Sequence, residues 1–160
     1  MDAIAIFDIR AVEAPDEKSQ ICEAVLRSLP NWFGIEAAIV DYTNGARAMP
    51  FFAVYDDGQV PVGFVCIKEH NTHTAEVCVM GVLQPYHRLG IGKRLIERCE
   101  DYCRERGKTF LTVKTLAESH PDEGYAKTRL FYQAMGFVPL EVFPLHWDES
   151  NPCLFMAKRL

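Results

Sequence analysis

Between residues 84 and 95 the chain reads QPYHRLGIGKRL, a strand exit that passes through two glycines into a helix. Gly90 and Gly92 let the backbone turn so that several N–H groups converge, and the first helical turn adds its unpaired donors and positive dipole end. Such a join holds an anion, and phosphate chemistry suits it. Two nucleotide fingerprints are excluded by reading on. The dinucleotide motif needs a third glycine where Leu95 stands, and the ATP motif needs Ser or Thr after Gly-Lys, where Arg94 follows Gly92 and Lys93. Glycines also serve close helix packing, so this pair alone indicates an anion and names none.

Metal and thiol chemistry find less support. Cys22, Cys66, Cys78, Cys99, Cys103 and Cys153 contain no C-x-x-C pair, and His70, His73, His120 and His146 show no metal-ligand spacing, so no metal is expected. Cys99 and Cys103 lie one helical turn apart on an apolar stripe, where thiols behave as small hydrophobes. Reduced, buried cysteines suit a cytoplasmic protein.

These residues need elements to carry them. AIAIFDIRAV reads as a first strand, followed by a helix from about residue 16 to Leu29 with apolar positions Ile21, Val25, Leu26 and Leu29, stopped by Pro30. A shorter helix from about Ile35 to Thr43 should close at Asn44-Gly45 in a left-handed turn. FFAVYDDGQVPVGFVCIKEH predicts a hairpin reversing at Asp57-Gly58. AEVCVMGVL predicts a strand whose two-residue period sends Glu76, Cys78, Met80 and Val82 to one face and Val77, Val79 and Gly81 to the other. Both faces read as largely buried, with Glu76 the exception. A helix from Gly90 to Arg106, the strand FLTVKT, a helix from Lys127 to Met135, and strands FVPLEVF and CLFMAKRL complete the order. The implied class is α/β (α+β): a mixed, twisted central sheet covered by helices, in one domain spanning 1–160.

The segment AEVCVMGVLQPYHRLGIGKRLIERCE resembles motif A of the GNAT N-acetyltransferases, whose loop pattern is Gln/Arg-x-x-Gly-x-Gly/Ala. His87 stands where the family usually has Gln or Arg, with Arg88 beside it. TRLFYQAMGFVPL resembles motif B, with Tyr132 four residues before Gly136-Phe137 and Tyr125 where the family often has Asn. Element order extends the resemblance over nearly the whole chain. It implies a GNAT-type acyl-CoA N-acyltransferase fold, helices on both faces of the sheet, and acetyl-coenzyme A as cosubstrate. Main-chain groups of Met80, Gly81 and Val82 would pair with the pantetheine arm, and one N–H there could stabilise an oxyanion. His87, Arg88, Leu89, Gly90, Ile91, Gly92 and Lys93 would hold the pyrophosphate, with Tyr125 at a further coenzyme position.

The same resemblance implies transfer to a primary amine by direct attack in a ternary complex. Glu76 occupies the position of the base in the histone-modifying branch, and Tyr132 would give a proton to the departing thiolate. The bland alternatives are a salt-bridged strand-end carboxylate and an aromatic packed between helix and sheet. A non-catalytic acyl-coenzyme A binding or sensing module would share the loop and differ at Glu76 and Tyr132. Trp32, Phe33 and Trp147 are candidates to line an acceptor pocket, and Asp122 and Glu123 to attract a cationic amine.

Net charge of −5 over 160 residues argues against sequence-blind nucleic-acid binding, which collects Lys and Arg. No apolar run reaches the roughly eighteen residues that span a bilayer, and the N-terminus lacks a basic head and small-residue cleavage site. The expected partners are a small-molecule or protein amine, with no nucleic acid and no membrane. Relatives in the resembling family often pair as homodimers, sometimes through their last strands.

Overall fold

The computed structural model describes residues 7–160, so the first four residues of the expected opening strand lie outside the described part. The elements run in the order β1 Asp8–Ala11, α1 Pro15–Arg27, α2 Glu36–Ala46, β2 Phe51–Tyr55, β3 Pro61–Glu69, β4 Thr74–Val82, α3 Ile91–Glu105, β5 Phe110–Leu116, α4 Glu123–Ala134, β6 Val138–Asp148 and β7 Asn151–Arg159. They group into two compact units. One comprises residues up to Lys68 with Cys78–Asp101, and the other Glu69–Val77 with Tyr102–Leu160.

In the first unit the strand order is β1-β2-β3-β4, and β1-β2 and β2-β3 pair antiparallel. α1 starts at Pro15, whose fixed φ suits a first helical position, and carries Asp16 and Glu17 in its first turn and Arg27 in its last. Its buried stripe of Ile21, Cys22, Val25 and Leu26 joins Ile39 and Ala46 of α2 over Phe51, Ala53, Tyr55, Phe64 and Val79 of the strands. α3 lies against the opposite face, with the Arg98 guanidinium 5.2 Å from the Phe52 ring. Helices therefore cover both sides here, as the alternation of β2 requires.

α2 does not close where the sequence suggested. It runs through Asn44 and Gly45 to Ala46, because Ala46 is 1% exposed and anchors a last turn in the core. The amides of Arg47, Ala48 and Met49 then bond back to the carbonyls of Asn44, Gly45 and Ala46, and no left-handed residue is needed. At the β2-β3 turn the left-handed residue is Gln59 with φ 63°, held as the Asp56 carboxylate accepts the Val60 N–H at 2.9 Å.

In the second unit the order is β4-β5-β7-β6. β4 and β5 pair in parallel, Glu76 facing Thr112, while β5-β7 and β6-β7 are antiparallel. α4 begins at Glu123, four residues ahead of the expected Lys127, because the Asp122 carboxylate caps it by accepting the Tyr125 N–H at 3.0 Å. Arg129 is buried and donates to the carbonyls of Leu116 and Ala117 at 2.8 and 3.3 Å, tying α4 to the end of β5.

β4 departs from simple alternation. Ala75, Glu76 and Val77 are buried in succession, after which Val79 and Gly81 are buried and Cys78, Met80 and Val82 are half-buried. The His70 amide meets the Thr74 carbonyl, and the Leu83 amide meets the Val62 carbonyl. The expected two buried faces give way to one buried face and one half-open one.

Candidate functional site

The loop after β4 folds by local rules. A single turn of 3₁₀ helix at Gln84–Tyr86 leads to Arg88 with φ 65° and Gly90 with φ 78°, and α3 opens at Ile91. The Arg94 amide bonds the Gly90 carbonyl at 3.1 Å, the first bond of the helix. Helix geometry therefore leaves the amides of Ile91, Gly92 and Lys93 without an intrahelical acceptor at the positive end of the dipole. Arg88 and Gly90, two left-handed residues in three, turn the chain sharply just before this helix N-terminus.

His87 stands apart from this set. Its own amide donates to the Gln84 carbonyl at 3.1 Å, and its ring Nε2 donates to the Val82 carbonyl at 2.6 Å. Trp32 packs edge-on against the same ring at 5.6 Å. The imidazole braces the loop back onto β4. Gly81 likewise has a packing reason. A Cβ there would stand 2.9 Å from Val25 Cγ1 and 3.3 Å from Leu29 Cδ1, so its missing side chain lets α1 seat on β4. Phe33 packs edge-on against Tyr42 at 6.3 Å, and Trp32 and Phe33 both border the core cluster.

In the second unit Glu76 is 7% exposed and fully engaged. His70 Nε2 donates to its Oε1 at 2.6 Å, and Lys114 Nζ donates to Oε1 and Oε2 at 3.0 and 3.1 Å. These short, charge-assisted bonds supply what a buried carboxylate requires. Beside the cluster lies an open cleft of about 460 Å³. His70, Thr74 and Lys114 form its polar side, and Phe143, His146 and Phe155 its aromatic side. Cys153 is fully buried close by, and burial pushes its thiol up to about 11 with Lys114 pulling the other way, so it offers no thiolate at neutral pH.

α4 carries the remaining candidates. Tyr132 is 7% exposed, its ring edge-on to Phe131 at 5.4 Å and Phe137 at 5.6 Å. Burial, with Asp122 adding to it, pushes the Tyr125 phenol up to about 12, so it stays protonated. The Asp122 carboxylate is committed to the helix cap rather than to a substrate. Trp147 is 40% exposed and packs against His146 at 5.7 Å.

The structure thus gathers residues 88–93 around one loop and Glu76 with His70 and Lys114 around one carboxylate. His70 and Lys114 were not singled out from sequence. The parallel ladder that sets Glu76 beside Thr112, two residues from Lys114, carried the only signal for the lysine, and its register is not written in either strand alone. Among the described residues no three His, Cys, Asp or Glu side chains form a group that could hold a metal ion. Nor is any helix among them long and apolar enough to cross a membrane.

Comparison with known proteins bears on the fold. The fold is similar to that of a protein from Desulfovibrio desulfuricans assigned to the GNAT family, with a TM-score of 0.79, 17% identity, and 96% of this chain and 98% of that one covered. It is also similar to the ribosomal-protein-S18-alanine N-acetyltransferase of Escherichia coli, with a TM-score of 0.72, 17% identity, and coverage of 96% and 93%. PaiA N-acetyltransferase from Thermoplasma acidophilum, solved in complex with coenzyme A, gives a TM-score of 0.70 at 18% identity, covering 96% and 99%. In sequence the chain is 29% identical over 99 residues to N-alpha-acetyltransferase 50 of Danio rerio. That match takes in 58% of this chain and 54% of the relative, so the chain spans about half the length of that curated protein. The model of the acetyltransferase (GNAT) family matches residues 11–137, which include Glu76, the 88–93 loop and Tyr132, and the chain belongs to that family.

Proposed function

We propose that this protein is an acetyl-coenzyme A dependent N-acetyltransferase that moves the acetyl group to a primary amine of a small molecule or a protein by direct attack. The observation that carries the reading is the turn from Arg88 to Lys93, where two left-handed residues and a helix N-terminus present a run of main-chain donors. A pyrophosphate suits such a turn better than a single carboxylate, because its several oxygens can each meet a donor. The pantetheine arm runs along the main chain of Met80, Gly81 and Val82 in this proposal, and an N–H there holds the developing oxyanion. Tyr125 contributes to coenzyme binding through its neutral phenol.

An alkyl ammonium must lose a proton before it can attack, and Glu76 supplies the basicity of the site. Tyr132, held between Phe131 and Phe137, gives a proton to the coenzyme thiolate. The half-buried Cys78 and buried Cys153 take no part, since the nitrogen attacks the thioester directly. Similarity to a protein named for acetylating an α-amine supports protein N-termini among the acceptors. The reading places the protein in the cytoplasm as one domain. Pairing of two copies through β6 is included in it, because that strand ends the sheet order and carries exposed Val138, Leu140 and Val142.

The test mixes pure protein with acetyl-coenzyme A and a panel of primary amines and measures free thiol. Turnover on at least one amine is expected, and Glu76→Gln should lower it at neutral pH with partial recovery at high pH and unchanged coenzyme affinity. Coenzyme binding with no turnover on any amine would replace the reading with a sensor. Absence of coenzyme binding would remove both.

A further inference from the structure

We infer that His70 is the residue that takes the proton from the acceptor amine, and that Glu76 acts through it as the buried carboxylate that orients the ring. The inference rests on the amine-acetylating reading above and changes which atom meets the substrate. Three observations carry it. First, His70 lines the cleft of about 460 Å³ with 33% of its side chain exposed, whereas the Glu76 side chain is 9% exposed. An amine entering that cleft meets the imidazole before the carboxylate.

Second, the bonding assigns the tautomer. A carboxylate oxygen only accepts, so the 2.6 Å contact is His70 Nε2–H donating to Glu76 Oε1. In the neutral ring this leaves Nδ1 with the lone pair, and Nδ1 is the proton acceptor of the proposal. The second-nitrogen bond to a carboxylate is the device by which a base is held in one orientation and its charged form is compensated. Third, the Lys114 ammonium bonds both oxygens of the same carboxylate. Both oxygens of Glu76 are already accepting bonds, which leaves the carboxylate poorly placed to receive a proton itself.

The titratable groups around His70 come from each neighbouring element. Glu76 faces it from β4, Lys114 from β5, and His146 across the cleft from β6. On the hairpin side Lys108 donates to the Asn71 carbonyl at 2.7 Å and, with Arg106, lies near Glu69. The protons balance as follows. An ammonium sheds two protons on becoming an amide. One passes to His70 Nδ1 and out to solvent along the exposed ring, and the other ends on the coenzyme sulfur when the C–S bond breaks and the C–N bond has formed.

The test compares His70→Asn and Glu76→Gln on an amine that the wild type acetylates, with kcat/KM measured from pH 5 to 10. His70→Asn is expected to cost on the order of 100-fold near neutrality. The loss should narrow as pH approaches the amine's own titration, and acetyl-coenzyme A affinity should be unchanged. The acid limb of the wild-type profile should vanish in His70→Asn. Glu76→Gln keeps an acceptor for Nε2–H, so its loss should be smaller.

A larger loss from Glu76→Gln than from His70→Asn, or an acid limb that survives in His70→Asn, would overturn the inference and leave Glu76 as the base. His70→Gln, tested alongside, separates damage to the hairpin from loss of the base. If both His70 variants lost coenzyme affinity, NMR titration of the wild-type and Glu76→Gln imidazoles would decide. One ring should respond to the substitution, and no response would overturn the coupling. A wild type that binds coenzyme and acetylates nothing defeats the underlying reading instead, with no variant involved.

Discussion

At Gly81 the space for a side chain is already taken. A Cβ would meet Val25 Cγ1 at 2.9 Å and Leu29 Cδ1 at 3.3 Å, and Val25 is 2% exposed and stiff about its first torsion. Gly81→Ala is therefore expected to destabilise by about 1–3 kcal/mol, the usual cost of overpacking. Urea unfolding at constant m should register it, and an unchanged midpoint would mean that α1 yields easily. Gly90 is constrained by conformation rather than by neighbours. Its φ of 78° strains any β-branched residue, so Gly90→Val should distort the donor loop. Acetyl-coenzyme A affinity should fall by about tenfold or more, given that each charge-assisted bond lost is worth about 1.5–3 kcal/mol. Calorimetric titration would expose an unaltered affinity, and with it a wrong loop assignment.

Helix α4 depends on a device at its start that also sets where Tyr125 and Tyr132 fall. Asp122 accepts the Tyr125 N–H at 3.0 Å, and Glu123 in the first turn adds a favourable charge at the positive end of the dipole. Asp122→Ala should cost about 1 kcal/mol of stability, as loss of an N-cap does. Asp122→Asn should restore most of it, because the amide oxygen still accepts. Paired denaturation curves would show the cap to be unimportant if the two variants behaved alike. A cationic amine drawn to Asp122 would instead predict a KM effect in both variants.

On the scale of the molecule, a coenzyme that binds only the folded form adds its binding energy to stability. At a free concentration one hundred times Kd the gain is about 2.7 kcal/mol. For a chain of this length that corresponds to a rise in Tm of about 5–10 °C. Thermal scans with acetyl-coenzyme A and with free coenzyme A should both show the shift, since both carry the pyrophosphate. A shift with neither would remove the loop from coenzyme binding. Salt should reduce it, because a pyrophosphate held by main-chain donors near Arg88 and Lys93 is an electrostatic contact partly open to solvent.

Order and type of the elements were determined by the sequence alone, because periodicity, prolines and glycines act within a few residues of themselves. The Gly90-x-Gly92 join into α3 is such a local feature, and so is the spacing of Tyr132 from Gly136-Phe137 that marks the family. Boundaries set by neighbours were not legible. α2 outlasts Asn44-Gly45 because Ala46 is buried in the core, and α4 starts early because of a side-chain cap at Asp122. The partners of Glu76 belong to the same class. A turn histidine six residues away and a lysine thirty-eight residues away reach one carboxylate only through the β3-β4 hairpin and the parallel β4-β5 register. At His87 the ring bonds the Val82 carbonyl and the amide bonds the Gln84 carbonyl, local contacts that its place in the motif did not indicate. Strand pairing and side-chain direction are decided by what buries against what, and no stretch of sequence contains both sides of that comparison.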